Sequence, residues 1–295
     1  MRLHLVDGTY ELFRAHFSKR PDHATPDGTD GKAILGLISS LLGLVADPKE
    51  RVTHLAVAFD NPIRSFRNDL FAGYKTEEGV DPVLLAQFDG AEAAVRALGI
   101  TVWSMDRWEC DDALATAAAR WRDAVDQVRI LTPDKDLGQC IVGRRVVQVD
   151  RMRQKEYDEE TLIVVRGVRP ASIPDWLALT GDDADGVPGL PGFGQKSAAA
   201  VLAKFEHLEA IPDDPKLWPA TVRGAERLAK TLAGARDEAL LYRQLTRLMT
   251  DVPLPEKLED LAWRGVPKLG FDEWCERFGA TRAMDSPLRA LRTSR

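Results

Sequence analysis

Three short apolar runs, each delivering acid at its C-terminal end, constrain the fold of this chain more than any other feature. Leu3-His4-Leu5-Val6 runs into Asp7, and Leu55-Ala56-Val57-Ala58-Phe59 runs into Asp60. Val128-Arg129-Ile130-Leu131-Thr132 leads to Asp134 and Asp136. Near-continuous apolar runs of this length read as strands buried on both faces, the habit of a parallel sheet. Helical text separates them. Lys32 to Val45 places Ile34, Leu35, Ile38, Leu41, Leu42 and Val45 at helical spacing, and Pro82–Leu98 and the alanine-rich Asp111–Asp126 read likewise. Alternating strands and helices predict right-handed βαβ units and a doubly wound, mainly parallel α/β sheet. The active crevice of such a sheet lies at the carboxyl ends of its strands, where these acids fall.

A second region begins near Val165. Pro170 and Pro174 introduce a helix with Trp176, Leu177 and Leu179, and glycine- and proline-rich text follows from Gly181 to Gly194. Helices are expected over Gln195–Phe205, Arg223–Ala233 and Arg236–Met249, so this part reads as all-helical. The expected division is 1–164 for the sheet domain, 165–265 for the helical lobe and 266–295 for a short appendage. Cys110, Cys140 and Cys275 are odd in number and widely spaced, which argues against a disulfide framework or a zinc cluster. The start, MRLHLVDG, lacks the pattern of a signal peptide. No stretch approaches the roughly 18 apolar residues of a membrane span. A cytoplasmic protein with no membrane partner is expected.

The acids gather in compact motifs: Asp7, Asp60, Glu109-Cys110-Asp111-Asp112, Asp134-Lys135-Asp136, and Asp182-Asp183-Ala184-Asp185. Taken alone, Asp111 reads equally as a helix N-cap and Asp182–Asp185 as a turn. Acids at the ends of several buried strands are harder to explain that way, because like charges in one crevice repel and a buried carboxylate needs a partner. Divalent cations are the economical partner. All-oxygen ligation suits Mg²⁺ or Mn²⁺, and two such ions can activate a water and stabilise the leaving oxygen of an in-line displacement at phosphorus. Bound cations would also offset the net charge of −6, which sits awkwardly with a nucleic-acid partner. Gly192-Phe193-Gly194-Gln195-Lys196-Ser197 reads as a hairpin turn opening a helix, suited to a phosphate. It is neither a Walker A loop nor a dinucleotide fingerprint, since its glycines stand in the wrong order.

The ordered set LVDG (5–8), AFD (58–60), SFR (65–67), GYK (73–75), ECDD (109–112), TPDKDL (132–137), TGDDADGVPG (180–189) and GFGQKSA (192–198) resembles the signature motifs of the 5′-nuclease family. That family includes flap endonucleases, phage 5′-exonucleases and the 5′-nuclease domain of bacterial DNA polymerase I. The resemblance runs from residue 1 to about 262. It implies a PIN-like sheet domain with a C-terminal helix–three-turn–helix lobe. It also implies two-metal hydrolysis of DNA near 5′ single-strand/duplex junctions, in replication or repair. The family's metal-binding acids fall on Asp7, Asp60, Glu109, Asp111, Asp112, Asp134, Asp136, Asp182 and Asp185, with two Mg²⁺ or Mn²⁺ implied. Catalytic roles fall on Lys75, Arg67, Asp7, Asp60 and Asp134. DNA contacts fall on Phe13, Arg14, Arg67, Lys75, Gly192, Gly194, Lys196 and Ser197, and K⁺ on main-chain oxygens near Ser197. Phe13 reads equally as a core residue.

The resemblance implies a monomer acting on DNA with a 5′ flap or end, and on RNA–DNA hybrids as a side activity, within the bacterial cytoplasm and nucleoid. A DNA-junction binder with little cleavage is the rival, and an RNA-strand nuclease the third reading. After Lys75 the text Thr-Glu-Glu-Gly-Val-Asp-Pro is short and acidic where relatives carry basic residues. Weaker gripping of flaps is expected there.

Overall fold

The computed structural model describes residues 1–281; the expectation of an appendage over 282–295 lies outside the described residues. Strands are β1 (Arg2–Asp7), β2 (His54–Asp60), β3 (Thr101–Met105), β4 (Gln127–Leu131), β5 (Val146–Asp150) and β6 (Lys155–Tyr157). Helices up to the sheet's last parallel strand are α1 (Gly8–His16), α2 (Lys32–Ala46), α3 (Arg67–Leu70), α4 (Pro82–Leu85), α5 (Phe88–Ala97) and α6 (Cys110–Trp121). Later come α7 (Glu159–Arg166), α8 (Ile173–Thr180), α9 (Gln195–Phe205), α10 (Ala225–Gly234), α11 (Arg236–Thr246) and α12 (Lys268–Phe278). The chain forms two compact units. Among the described residues, one comprises 1–63, 77–132 and 250–281, and the other 64–76 and 133–249.

The first unit holds four parallel strands in the order β3-β2-β1-β4. Leu5 stands opposite Ala56 on one side and Ile130 on the other. Leu3, Leu5, Val57, Phe59, Val128 and Ile130 are wholly buried, as a sheet covered on both faces requires. The α/β expectation is met. Helix α2 can press against α1 because Gly36 has no side chain: a Cβ there would lie 2.5 Å from that of Ala15.

The expected helix over Pro82–Leu98 is broken in two at Gln87. The reason is a tertiary contact. The buried Gln87 amide accepts from Ala33 N at 3.1 Å and donates to Val83 O at 3.1 Å, so it caps the free start of α2 while closing α4. The helix expected to reach Asp126 stops at Trp121, which stacks on Trp103 with ring centroids 6.3 Å apart. Within the expected appendage, α12 packs into the first unit. Phe271 is fully buried and Phe278 stacks on His23 at 5.2 Å.

Away from the acid-bearing edge, His4 of β1 and Arg129 of β4 close on Glu50. His4 Nε2 lies 3.1 Å and Arg129 Nε 2.9 Å from Glu50 Oε2. The hydrogen bond from His4, helped by Arg129, holds the Glu50 carboxyl down at about 2, while burial pushes the His4 imidazole below its usual range. Both shifts act in one direction on pH. The lowered carboxyl stabilises the fold above the unfolded value and loses that contribution as pH falls toward 2. The neutral buried His4 loses its contribution below about 6.5. Glu50→Gln should therefore cost about 1 kcal/mol or less at pH 7, because the pair is partly solvated. The difference from wild type should vanish between pH 4.5 and 2 in urea melts. A gap independent of pH would contradict this account.

The second unit pairs β5 with β6 antiparallel, Gln148 opposite Tyr157. Its remaining structure is helical around Trp176, Leu177, Leu179, Phe193, Leu202, Leu228 and Leu232. Among the described residues no helix is long and apolar enough to cross a membrane.

Candidate metal centres

In the first unit the acids stand where the strands end. Asp7 and Asp60 are the last residues of β1 and β2, both nearly buried. Asp7 caps α1: its Oδ1 accepts from Tyr10 N at 2.8 Å, and its Oδ2 from Thr132 Oγ1 at 2.9 Å. Asp60 Oδ1 accepts from Cys110 N at 2.6 Å, which ties the start of α6 to the end of β2. Glu109, Asp111 and Asp112 sit at that helix start, where the helix dipole favours negative charge. Asp112 is fully buried and accepts from Glu109 N at 3.0 Å, so it is a cap as well as a candidate ligand. Ligand atoms of Asp7, Cys110 and Asp111 lie within 4.8 Å of one another.

The second unit carries its own group. Ligand atoms of Asp136, Asp182 and Asp185 lie within 4.8 Å of one another. Asp134 Oδ1 accepts from Asp136 N at 2.9 Å, folding the TPDKDL turn back on itself. Asp182 and Val187 exchange two main-chain hydrogen bonds of 2.8 Å, which closes the acidic loop. Burial, reinforced by the charges of Asp134, Asp185 and Asp182, pushes the Asp136 carboxyl well above the usual carboxylate range. Its Oδ1 is buried and has no hydrogen-bond partner. An orphaned carboxylate oxygen among like charges is a site built for a cation. The oxygen donors fit Mg²⁺ or Mn²⁺.

Lys75 lies beside this second group. Its Nζ is 3.0 Å from Asp185 Oδ1, and its N–H donates to Asp185 O at 3.0 Å. The approach depends on Gly186, whose φ is +73°. A Cβ there would strike Gly73 O at 2.2 Å. Two side chains not anticipated from sequence hold the arrangement. Asn68 donates to Lys75 O at 2.9 Å, and Lys135 Nζ lies 2.6 Å from Asp182 Oδ2. The place of Lys135 between two acids in TPDKDL is a signal that could have found it; nothing in the sequence marks Asn68.

Arg67, of which a phosphate contact is expected, lies inside the second unit. The residue is 1% exposed, and its guanidinium donates to Leu245 O at 2.7 Å and Arg247 O at 3.0 Å. Such burial makes it a brace for the 64–76 segment. Phe13 is half-buried edge-on against Phe88 at 6.3 Å, and Arg14 pairs with Glu11 and donates to Ser40 Oγ at 3.0 Å. In the lobe, Gly192 has φ +88°, Lys196 is exposed, and Ser197 caps α9 through Gly194 N and O, both at 3.0 Å.

Residues 2–166 match the family described as 5′-3′ exonuclease, N-terminal resolvase-like domain, and residues 168–268 match 5′-3′ exonuclease, C-terminal SAM fold. A 5′-3′ exonuclease of Aquifex aeolicus is 33% identical over 261 residues, covering 88% of this chain and 86% of that protein. The DNA polymerase I of Rhizobium leguminosarum is 35% identical over 289 residues. The match covers 95% of this chain but only 28% of that polymerase. Among solved structures, T5 5′-exonuclease with bound zinc superposes with a TM-score of 0.66 at 18% identity, covering 83% of this chain and 89% of that one. The catalytic core of Rad2 in complex with DNA substrate gives 0.64 at 16% identity, covering 99% and 92%. At these identities the two structures speak for the fold.

Proposed function

The chain belongs to the 5′-3′ exonuclease family of phosphodiester hydrolases, and from that premise we propose that it cuts DNA near 5′ single-strand/duplex junctions with one divalent cation on each of its two acidic groups. The observation that carries this reading is the pair of clusters, Asp7 with Asp111 and Asp136 with Asp182 and Asp185, the latter including the orphaned Asp136 oxygen. Asp60, Glu109 and Asp112 complete the first group in the proposal, and Asp134 the second. When bound, the two cations supply Lewis-acid polarisation and neutralise charge on the phosphate.

The rest falls to the chain itself. The acids fix where positive charge sits, and their main-chain hydrogen bonds hold them there before substrate arrives. Lys75, its side chain 21% exposed, is placed to turn from Asp185 to a non-bridging phosphate oxygen and stabilise charge in the transition state. Asn68, Lys135 and Arg67 position these groups. In the lobe, Gly192, Gly194, Lys196 and Ser197 are proposed to grip the duplex backbone through main-chain and ammonium donors, which fix register without reading sequence. A K⁺ on main-chain oxygens of that hairpin is part of the proposal, as is stacking of an end base on Phe13 beside Arg14. The proposed division of labour is catalysis by the acids of 1–164 together with Asp182 and Asp185, and backbone grip by the rest of 165–265, with the enzyme acting as a monomer.

The test is a panel of 5′-labelled flap, nicked, gapped, single-stranded and RNA-primer hybrid substrates with Mg²⁺ or Mn²⁺. Cleavage should be fastest at the 5′ junctions. Equal rates on junctions and on plain single strands would remove the structure-specific part of the proposal.

A further inference from the structure

The second acidic group carries a cation of its own. Lys135 Nζ lies 2.6 Å from Asp182 Oδ2, with side chains 33% and 5% exposed. The other oxygen, Asp182 Oδ1, accepts from Ala184 N at 3.2 Å, so both oxygens of this nearly buried carboxylate are engaged. Asp136 Oδ1, in the same group, is buried and has no hydrogen-bond partner. One acid is thus neutralised from within the chain while another is left open. A buried carboxylate needs a counter-charge, and either an ammonium or a metal ion supplies it. Both at Asp182 Oδ2 is unfavourable, since two cations on one oxygen repel. The surroundings let the ammonium leave without dismantling the site. Gly138 N donates to Lys135 O at 3.1 Å and Asp136 N to Asp134 Oδ1 at 2.9 Å, so the turn holds its shape through its main chain. Asp182 keeps its two main-chain hydrogen bonds with Val187, both 2.8 Å. Lys135, a third exposed, reaches water by rotating its own flexible stem.

Resting on the reading of Asp136, Asp182 and Asp185 as metal ligands, we propose that Lys135 is a positioning residue whose ammonium takes the place of the divalent cation at Asp182 and is displaced to solvent when Mg²⁺ or Mn²⁺ binds. The exchange replaces an ion pair by a metal–carboxylate contact; no proton or electron is transferred. The ammonium keeps Asp182 aimed into the group before the metal arrives. It also sets the affinity of the second group by competition.

The experiment follows the Lys135 ammonium of the full chain by ¹H–¹⁵N NMR, its signal assigned by its absence from Lys135→Met and Lys135→Arg. Without metal the paired ammonium should give a resolved signal, and saturating Mg²⁺ should merge it with the solvent-exposed lysines. No Lys135 signal without metal, or a signal that Mg²⁺ leaves unchanged, overturns the proposal. Mn²⁺ binding, read by electron paramagnetic resonance of the free ion, gives the affinity of the second group as the site lost in Asp182→Asn. Its dissociation constant should fall about fivefold or more in Lys135→Met, the worth of one partly solvated ion pair. An equal or larger constant in the folded variant overturns the competition. The same titration separates the two readings. Mn²⁺ bound by wild type with an unresponsive Lys135 removes only the displacement, and no Mn²⁺ bound by wild type removes the metal group itself.

Discussion

Asp182→Asn should lower Mg²⁺-dependent cleavage by about a thousandfold or more, equivalent to about 4 kcal/mol of transition-state stabilisation, while the chain stays folded. Asp182 is 4% exposed and stands with Asp136 and Asp185 in the second acidic group. Asparagine keeps the size, and its amide oxygen still accepts from Ala184 N, now at 3.2 Å. It loses the charge that a divalent cation needs. The effect on stability has two parts of opposite sign. The Lys135 ion pair at 2.6 Å is weakened, and repulsion among the clustered carboxylates is relieved. The melting temperature measured without metal should therefore move little, and the stabilisation that Mg²⁺ gives to wild type should be lost. Full residual cleavage would show that Asp182 is a turn residue and nothing more.

Lys75→Ala comes next in size, with a loss of about 10²–10³ in kcat, the usual effect of removing one donor to developing oxyanion charge. The lysine is held by its main chain, through Asp185 O and Asn68, so the substitution removes an ammonium without disturbing the loop. Single-turnover kinetics on a flap duplex separate two roles. A fall in kcat with KM little changed marks an interaction made in the transition state, whereas a rise in KM alone would reduce Lys75 to a uniform grip on phosphate.

The parts of this fold that declare themselves in sequence are those governed by burial on both faces. β2 is apolar from Leu55 to Phe59, β1 and β4 carry Leu3, Leu5, Val6, Val128, Ile130 and Leu131 around the polar His4 and Arg129, and Asp7 and Asp60 close β1 and β2. β3 escapes notice, since Thr101 and Val102 are half-buried and Ser104 is exposed, leaving no continuous apolar run. β5 teaches the opposite lesson. Val146–Asp150 also ends in acid, yet Asp150 accepts from Arg153 N and Nη1, both at 3.0 Å, and only closes a hairpin turn. An acid after a strand is therefore a candidate ligand until its partners are known. The motifs separate Asp7 from Asp150 where the pattern alone does not.

The remaining differences share one cause: they are set by contacts distant in sequence. Gln87 breaks a helix because it caps another 54 residues away. Arg67 turns inward because the carbonyls of Leu245 and Arg247 wait for it, 178 and 180 residues further on. No periodicity reports such partners. Cys110 is the subtler case. Within ECDD it reads as a small buried residue, and only the start of α6, pinned to Asp60, turns its sulfur toward Asp7.

The most direct test of the central claim is single-turnover cleavage of a 5′-labelled flap duplex by excess enzyme, with Mg²⁺, with Mn²⁺ and with EDTA. The account predicts short labelled products with either cation and none in EDTA. No product with either cation, or the same product at the same rate in EDTA, would contradict it.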